Sequence, residues 1–517
     1  MQPISEMLET LRKRNVMLWL SDDQLKCRAP QGALTASDLD ELRFRQPEIV
    51  KFLSHSLGDR IAMPPFVTRP ANSPPRPSFM QERLWRVTRQ GWFNANMEIF
   101  VARVTGPFNS EAMKRALEEL ERRHEILRTR FAGDEHSCEL ILDPPGHVVI
   151  NTSTLSVSEH DRERVLSAHV RELLERPVDI TRNKPLQAHL IELDANQDDR
   201  AWVVTVHHIV GDCLSCALLR DELVQLYQQF SSGLPIAGET NPVQYSDFGE
   251  WQRGWLNGRI EAVGAYWRDQ LSSVPALPLP IKAMLDPDEM VDIGTCSFEL
   301  PASLVKRLDE TATRTHVNRY VLLITGFHIA LALWTGEPHL VIGCMGSDRV
   351  VNQVDRVVGP FLARDYIRAD LSGDPSFEEA SQRVLDAYIR AISNPWVMSS
   401  TKQDLPLTSA VKLDVNYIPF RRSMAQAITE VKRSDSGELT ITGIPLPEPK
   451  HTRQRRFIYA KLGLGFVETE TGSITGHLNF EDGAFEQEVL DKLVHQITEV
   501  FKIALEDPSR PLSALKA

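Results

Sequence analysis

Two adjacent histidines and a nearby carboxylate, His207, His208 and Asp212, stand where the hydrophobicity pattern changes from strand to helix. An apolar run over 202–206 predicts a strand before them, and apolar residues at helical spacing over 218–230 predict a helix after them. Imidazole has an unperturbed pKa near physiological pH, so it can take up and release a proton at neutral pH. A lone histidine at a strand end is most often structural. The tandem pair with an aspartate at this junction instead predicts a proton-handling site.

Composition limits the classes of protein to which the chain can belong. Its 517 residues suffice for roughly three or four domain-sized units, and a formal net charge of -12 argues against a nucleic-acid partner. The most apolar run, 320–334, is too short for a membrane span, and we expect no membrane partner. The first residues lack a signal-peptide pattern, and the six scattered cysteines do not suggest a disulfide framework. We therefore expect a cytoplasmic protein.

Residues 1–57 have the pattern of a small separate domain. A short helical pattern precedes an alternating strand with Val16, Leu18 and Leu20, a turn, and a second strand with Leu25. Two further helices follow, the first beginning near Thr35. A hairpin with a free edge can accept an extended peptide as an added strand, and we expect these four apolar residues to serve partner docking. The alternative, that the segment only caps the larger body, is equally open at this point.

The rest of the chain divides at proline-rich stretches. Six prolines within 58–77 predict an extended, semi-rigid linker. A second proline-rich crossing, 275–280, separates a first lobe over 78–275 from a second lobe over 276–517. Both halves mix strand and helix patterns in similar proportion, so the fold class is α/β.

Several further motifs accompany the His-His-x-x-x-Asp stretch and carry a family resemblance. They are Ser78-x-x-Gln81-x-Arg83-Leu84-Trp85, the run Arg123-His124-Glu125-Ile126-Leu127-Arg128-Thr129-Arg130-Phe131, and Tyr245-Ser246-Asp247-Phe248-x-x-Trp251-Gln252. In this order they resemble condensation domains of nonribosomal peptide synthetases, whereas the short histidine pattern alone also occurs in wax-ester synthases. With Leu18-Trp19-Leu20 and a turn over 29–35, the N-terminal segment resembles the docking domain named after tubulysin synthetase.

This resemblance implies a fold, a reaction and partners. The body would comprise two chloramphenicol-acetyltransferase-like lobes in a V, with the histidines in a tunnel between them. A donor acyl or peptidyl thioester and an acceptor amine would enter from opposite faces on phosphopantetheine arms of carrier proteins, and an amide would form. The chain itself would bind no cofactor. The docking domain would bind a short C-terminal peptide of an upstream synthetase subunit. A soluble amine could replace the carrier-bound acceptor.

The resemblance also assigns roles to residues. His208 would be catalytic, as a general base or by positioning the amine, and we favour positioning with partial proton transfer. His207 would be structural, and Asp212 would pair with Arg349, whose guanidinium can hold a carboxylate in a bidentate pair. Gly211 and Ser215 would support the site, and for Ser215 helix capping and substrate contact remain equally open.

A further set of residues is expected near the substrate tunnel: Cys213, Gln81, Arg83, Gly359 and Phe361. Cys213 stands where the family usually has glycine, so its side chain would narrow the tunnel. With Cys216 it forms a Cys-x-x-Cys, but without a second cysteine pair we expect two free thiols and no metal.

Departures from the family pattern keep a second function open. The fifth motif reads Val358-Gly359-Pro360-Phe361-Leu362-Ala363-Arg364-Asp365, without its usual Asn and Thr, and the sixth survives only as Gln403-Asp404-Leu405-Pro406. The alternative is a catalytically silent domain that keeps the fold and recruits a partner protein. The intact His208 favours the enzyme. Heterocyclisation is disfavoured because histidines occupy the positions where that subfamily would have aspartates.

Overall fold

The computed structural model describes most of the chain. The described residues are 17–21, 24–28, 34–35, 38, 41–42, 44–46, 64–70, 73–89, 96–134, 136–193, 199–233, 243–271, 274, 280, 290–291, 293–394, 413–418, 429–434, 437–444, 454–455, 462–469 and 471–515. The chain forms two compact units, Met1–Met63 and Pro64–Ala517.

The smaller unit contains the predicted hairpin. Strand β1 (Met17–Ser21) pairs antiparallel with β2 (Gln24–Arg28), with Leu18 opposite Cys27 and Leu20 opposite Leu25. The predicted helix start is confirmed, because the Thr35 N–H donates to Asp38 Oδ2 (2.7 Å) and the Asp38 N–H donates to Thr35 Oγ1 (3.1 Å). Val16 and the first and last predicted helices of this unit lie outside the described residues.

The larger unit combines strands and helices in two sheets with their covering layers. Its helices are α1 (Phe79–Arg89), α2 (Ser110–Arg123), α3 (Arg162–Glu175), α4 (Cys213–Ser231), α5 (Tyr245–Leu256), α6 (Ile260–Leu271), α7 (Ala302–Thr315), α8 (Arg319–Thr335), α9 (Phe377–Ser393) and α10 (Gln487–Glu506). Its strands are β3 (Asn96–Thr105), β4 (Thr129–Ala132), β5 (Glu139–Leu142), β6 (Ile150–Thr154), β7 (Leu186–Glu192), β8 (Asp199–His207), β9 (Met290–Val291), β10 (Ile293–Leu300), β11 (His339–Ser347), β12 (Leu362–Asp370), β13 (Leu413–Ile418), β14 (Thr429–Ser434), β15 (Gly437–Gly443), β16 (Gln454–Arg455), β17 (Leu462–Glu468) and β18 (Ile474–Glu481).

The first sheet has the order β14-β15-β3-β8-β7-β6 and is covered on both faces. On one face, Leu166 and Val170 of α3 pack against Val203 of β8. On the other, Phe108 lies 6.0 Å from the Trp202 ring of β8 and stacks on Tyr227 of α4, with ring centroids 4.6 Å apart. Burial on both faces explains why the strand before the histidines is a continuous apolar run.

Two strands of this sheet come from a distant part of the sequence. Strands β14 and β15 lie within the range assigned to the second lobe, yet β15 pairs antiparallel with β3, with Thr440 opposite Thr105. Pairing covers the edge of β3, which would otherwise present unpaired backbone groups. The proline-rich crossing near 275 therefore does not by itself separate the two sheets.

The second sheet has the order β10-β18-β17-β13-β11-β12. Helix α8, the most apolar of the described helices, packs against it. Helix α8 is buried from Val321 to Leu331, which confirms the predicted buried helix. A Cβ on its Gly326 would lie 2.3 Å from the Phe501 ring of α10, so glycine permits this close helix contact. Among the described helices, none is individually long and apolar enough to span a bilayer, and α7 with α8 passes that test only as a pair bent by 106°.

The C-terminal part of the expected linker, from Pro64 onward, belongs to the larger unit and packs against its helices. The Trp251 indole N–H donates to Pro64 O (3.1 Å), and Arg253 Nε donates to Pro77 O (2.7 Å). Arg69 donates from Nη2 to Glu125 Oε2 (2.9 Å) and from Nε to Ser246 Oγ (2.8 Å). From Pro64 onward this segment thus joins residues of two sequence motifs.

Candidate active site

The two histidines lie at the end of the central strand of the first sheet. Strand β8 is buried from Ala201 to His207 and is flanked by β3 and β7. After β8 the chain forms a 3₁₀ turn over His208–Val210, and Asp212 is the N-cap of α4. The predicted strand-to-helix junction is therefore confirmed, and it fixes both ends of the loop that carries His208.

The His208 ring is oriented by the backbone of its own loop. Its Nδ1 lies 2.7 Å from Gly211 O, and the ring is half-buried. Because a carbonyl oxygen only accepts hydrogen bonds, Nδ1 must carry the proton, and Nε2 of the neutral ring then carries the lone pair. Gly211 supports the site through its carbonyl oxygen, and its backbone is extended with φ -162°.

His207 has the opposite tautomer and no exposed surface. Its Nδ1 accepts a hydrogen bond from the Ile209 N–H (3.1 Å), while Nε2 is buried without a hydrogen-bond partner among the described residues. Burial first, and then the neighbouring His208, lower the pKa of His207 to about 3. His207 is therefore neutral at physiological pH and supports the turn in front of His208.

The carboxylate of Asp212 joins the two lobes. Its Oδ1 accepts from the Ser215 N–H (2.8 Å) and lies 2.7 Å from Ser215 Oγ, and its Oδ2 accepts from the Phe361 N–H (3.2 Å). Ser215 Oγ also accepts from the Gly359 N–H (3.0 Å) and lies 2.8 Å from Gly359 O. Ser215 is fully buried, so substrate contact is excluded, and the helix is capped by Asp212.

The expected pair of Asp212 and Arg349 is present, with a different geometry. Arg349 Nη2 lies 3.5 Å from Asp212 Oδ1 and donates to Ser215 Oγ (3.2 Å). Nη1 donates to the carbonyl oxygens of Val354 (2.6 Å) and Val357 (2.8 Å). The expectation of a bidentate pair is therefore wrong, because most of the donors of this guanidinium serve Ser215 and its own loop.

Gly359 and Phe361 are packing residues, which corrects their assignment to the tunnel wall. A Cβ on Gly359 would lie 1.8 Å from Tyr245 Cδ2, so only glycine fits. Phe361 is fully buried, edge-on to Tyr245 at 4.9 Å and with the Arg349 guanidinium 3.9 Å from its ring centroid. A substrate has no surface to touch at either position.

Gln81 supports the turn after His207, whereas Arg83 remains a candidate for the substrate tunnel. Gln81 is 1% exposed, accepts from the Ser78 N–H (3.1 Å), and its Nε2 donates to Ile209 O at 3.5 Å. It therefore tethers α1 to the turn that follows His207, and the expectation of substrate contact is wrong. Arg83 is half-buried on α1, and its predicted tunnel role stays a prediction.

Cys213 lies in the first turn of α4 with its side chain exposed to solvent. Desolvation by the surrounding protein, and then Asp212, raise the pKa of its thiol. The predicted place of Cys213 beside the substrate tunnel stays a prediction. Cys216 is buried. Within the described part of the chain, no group of three or more metal-ligating side chains occurs.

Tyr245 has a role that sequence reasoning did not assign. Its hydroxyl donates to Pro360 O (2.8 Å) and lies 2.8 Å from Ser78 Oγ. It thereby connects the first, fourth and fifth motifs behind the site. The motif match at Tyr245 was the available signal, but the contact itself depends on the fold.

Two family models match the chain. The model described as Condensation domain covers residues 77–517, and the TubC N-terminal docking domain covers residues 4–55.

Curated relatives and solved structures agree with these matches. A linear gramicidin synthase of Brevibacillus parabrevis is 26% identical over 451 residues, which is 85% of this chain and 8% of that protein. The X-domain solved in complex with OxyB from teicoplanin biosynthesis has TM-score 0.68 at 22% identity, covering 88% of this chain and 98% of that one. The EpoB cyclization-docking bidomain from Sorangium cellulosum has TM-score 0.64 at 18% identity, covering 98% and 100%. At these identities the structures show the fold, and the expected chloramphenicol-acetyltransferase-like architecture is confirmed.

We predict that Asp212→Ala destabilises the protein by about 3–5 kcal/mol, since it removes a helix cap and leaves the buried Arg349 charge without its carboxylate. Asn109→Ala is the matched control, because Asn109 caps α2 through its side chain (2.9 Å to the Ala112 N–H) at an exposed position. This control should cost only about 1 kcal/mol. Urea unfolding measures both, and equal losses would contradict a role of Asp212 beyond capping.

We predict that acid destabilises the protein partly through His207. Its pKa falls from the ordinary 6.5 to about 3 in the fold, so between these pH values the unfolded chain binds the additional proton. Stability from this group is complete above pH 6.5 and falls by about 1.4 kcal/mol per pH unit below it. His207→Asn keeps an acceptor for the Ile209 N–H without titrating. Urea unfolding from about pH 6 to about pH 4 should show a shallower decline in this variant, and parallel curves would refute the assignment.

Proposed function

Because the chain belongs to the condensation-domain family of nonribosomal peptide synthetases, with a TubC-type docking domain at its N-terminus, we propose that it catalyses amide formation. The substrates are a carrier-bound acyl or peptidyl thioester and an amine, which is carrier-bound or soluble. The chain spans 8% of the gramicidin synthase that it matches, so reaction and partners are inferred for this part alone. The observation that carries the proposal is the orientation of His208 by Gly211 O.

The chemistry needs a group that controls a proton beside the attacking nitrogen. As the amine attacks the thioester carbon, the N–C bond forms and the nitrogen becomes positively charged. Nε2 of a neutral His208 can accept a proton from this nitrogen. The C–S bond of the thioester then breaks, and the departing thiolate of phosphopantetheine takes up one proton, so no proton is gained or lost overall. The Nδ1–H bond to Gly211 O fixes the ring direction during this transfer. The same contact supports positioning of the amine before attack.

A second candidate function is recruitment of a partner protein by a catalytically silent domain. The similarity to an X-domain solved in complex with OxyB favours considering it. The altered fifth motif of this chain points the same way. Against it stands the elaborate support of His208, which a silent domain would have no reason to retain.

We predict that His208→Ala abolishes amide formation while the protein stays folded. The test incubates full-length protein with acyl-loaded carrier protein and a panel of amines, and mass spectrometry detects the amide. His147→Ala is the matched control, since His147 is an exposed histidine on the same lobe whose Nδ1 lies 2.8 Å from Glu118. Residual amide formation by His208→Ala at the wild-type rate would refute the role of His208. No amide with any acceptor, despite carrier binding, would favour recruitment.

We also propose that the β1–β2 hairpin binds a short C-terminal peptide of an upstream synthetase subunit. Within the described residues, β1 and β2 form a two-stranded sheet, and such a sheet leaves outer edges to which an extended peptide can add. Leu18 and Leu20 lie on β1 and Leu25 lies on β2, and these apolar residues on paired strands support the proposal.

We predict that the double substitution Leu18→Glu and Leu20→Glu raises the KM for the upstream carrier by about tenfold or more, because charges weaken an apolar docking surface. The kcat at saturating carrier should be retained. An upstream carrier without its C-terminal peptide is the matched control, and its KM should not respond to the substitution. Equal responses of both carriers would contradict peptide docking at the hairpin.

A further inference from the structure

Asp365 is a buried carboxyl group without a partner. It lies in β12 opposite Cys344 of β11 and is 5% exposed. Among the residues that the structure describes, its side chain takes part in no hydrogen bond and no ion pair. A buried carboxyl in this condition is costly, because desolvation is not offset by any bonding. The residue stands where the fifth motif usually has leucine.

Three tyrosine side chains are close enough to this carboxyl to interact with it electrostatically. Tyr320 of α8 and Tyr388 of α9 meet edge to face with ring centroids 6.1 Å apart, and both interact electrostatically with Asp365. Tyr266 of α6 interacts with it as well. All three tyrosines are half-buried, and the Tyr320 hydroxyl donates to Met345 O (2.8 Å). Gly346 of β11 lets the carboxyl lie close to the neighbouring strand, since a Cβ would lie 3.3 Å from Asp365 Oδ2.

The local electrostatics favour a cation in this space. Burial raises the pKa of Asp365 to about 7. The pKa of nearby Asp348 is also raised to about 7, first by burial and then by Asp365. Arg364, the adjacent cation on β12, donates to Asp414 at 2.5 Å. A positive group beside Asp365 would therefore stabilise its ionised form, which no hydrogen bond or ion pair within the described part of the chain does.

The aromatic rings decide which kind of cation fits. Tyrosine rings attract ammonium groups through cation–π interactions, and a nearby carboxylate adds an opposite charge. A metal ion would need further ligands, and the described residues contain no group of three metal-ligating side chains here.

We propose that Asp365, with Tyr266, Tyr320 and Tyr388, forms a subsite for an ammonium group of the amine substrate. This inference rests on the proposed amide-forming function. A nitrogen that attacks a thioester must be uncharged, so the ammonium at Asp365 is a second basic nitrogen of the same molecule. The acceptor is then a diamine, a polyamine or a basic amino acid.

The test separates this subsite from catalysis by measuring binding without a donor. Calorimetry compares pentane-1,5-diamine with 5-aminopentan-1-ol, which has nearly the same length and one basic nitrogen, on the full chain. Wild-type protein should bind the diamine about tenfold more tightly, and Asp365→Asn should remove most of that preference. Asp365→Leu, which restores the usual residue of the motif, should remove it as well. Asp370→Asn, at the exposed end of the same strand, is the matched control and should keep it.

Each outcome has one meaning. Equal binding of both amines by wild-type protein overturns the subsite, and so does a preference that survives Asp365→Asn and Asp365→Leu. If the preference follows Asp365 but no donor yields an amide, the subsite stands and the proposed reaction fails. If amides form without preference for the diamine, the reaction stands and the subsite fails.

Discussion

The site depends on a single carboxylate that bonds to both lobes. Asp212 caps the helix after the histidine loop and accepts the Phe361 N–H, 149 residues further along the chain. Ser215, whose N–H donates to Asp212, also contacts the backbone N–H and the carbonyl oxygen of Gly359 through its hydroxyl. Movement of the second lobe at this point would leave buried donors and acceptors unsatisfied, and that cost keeps the loop of His208 in place. The position of the His208 loop and the contact between the two lobes therefore depend on the same hydrogen bonds.

The tandem histidines divide their tasks through opposite tautomers. His207 uses Nδ1 as an acceptor for the turn, whereas His208 uses Nδ1 as a donor to Gly211 O. Burial keeps the first ring neutral, and its neutrality avoids a second positive charge beside His208 when that ring takes up a proton. In the proposed reaction, an adjacent charged imidazole would oppose proton uptake by His208.

Sequence reasoning identified the elements and the loop that carries the histidines because these depend on local patterns. The apolar run of β8, the cap at Asp212 and the buried helix α8 follow from periodicity and turn chemistry. The roles of Gln81 and Phe361 do not follow from local patterns. A motif match indicates that a residue is important, but it does not show whether the side chain faces a substrate or the protein interior. Likewise β15 joins the first sheet through a long-range pairing with β3 that local periodicity does not encode.

Strand β12 shows how the chain accommodates charge next to a packed sheet. Arg364 pairs with Asp414, and Arg368 donates to Gln270 O at 2.9 Å, so both cations of the strand are compensated inside the protein. Glycines on the neighbouring strand supply the volume, since a Cβ on Gly343 would lie 2.1 Å from Asp414 Oδ1. Asp365 has the corresponding space at Gly346 but, among the described residues, no corresponding partner. The strand therefore bonds its two cations within the protein and leaves the carboxyl of Asp365 without a compensating group among the described residues, which is the charge that the proposed ammonium subsite would balance.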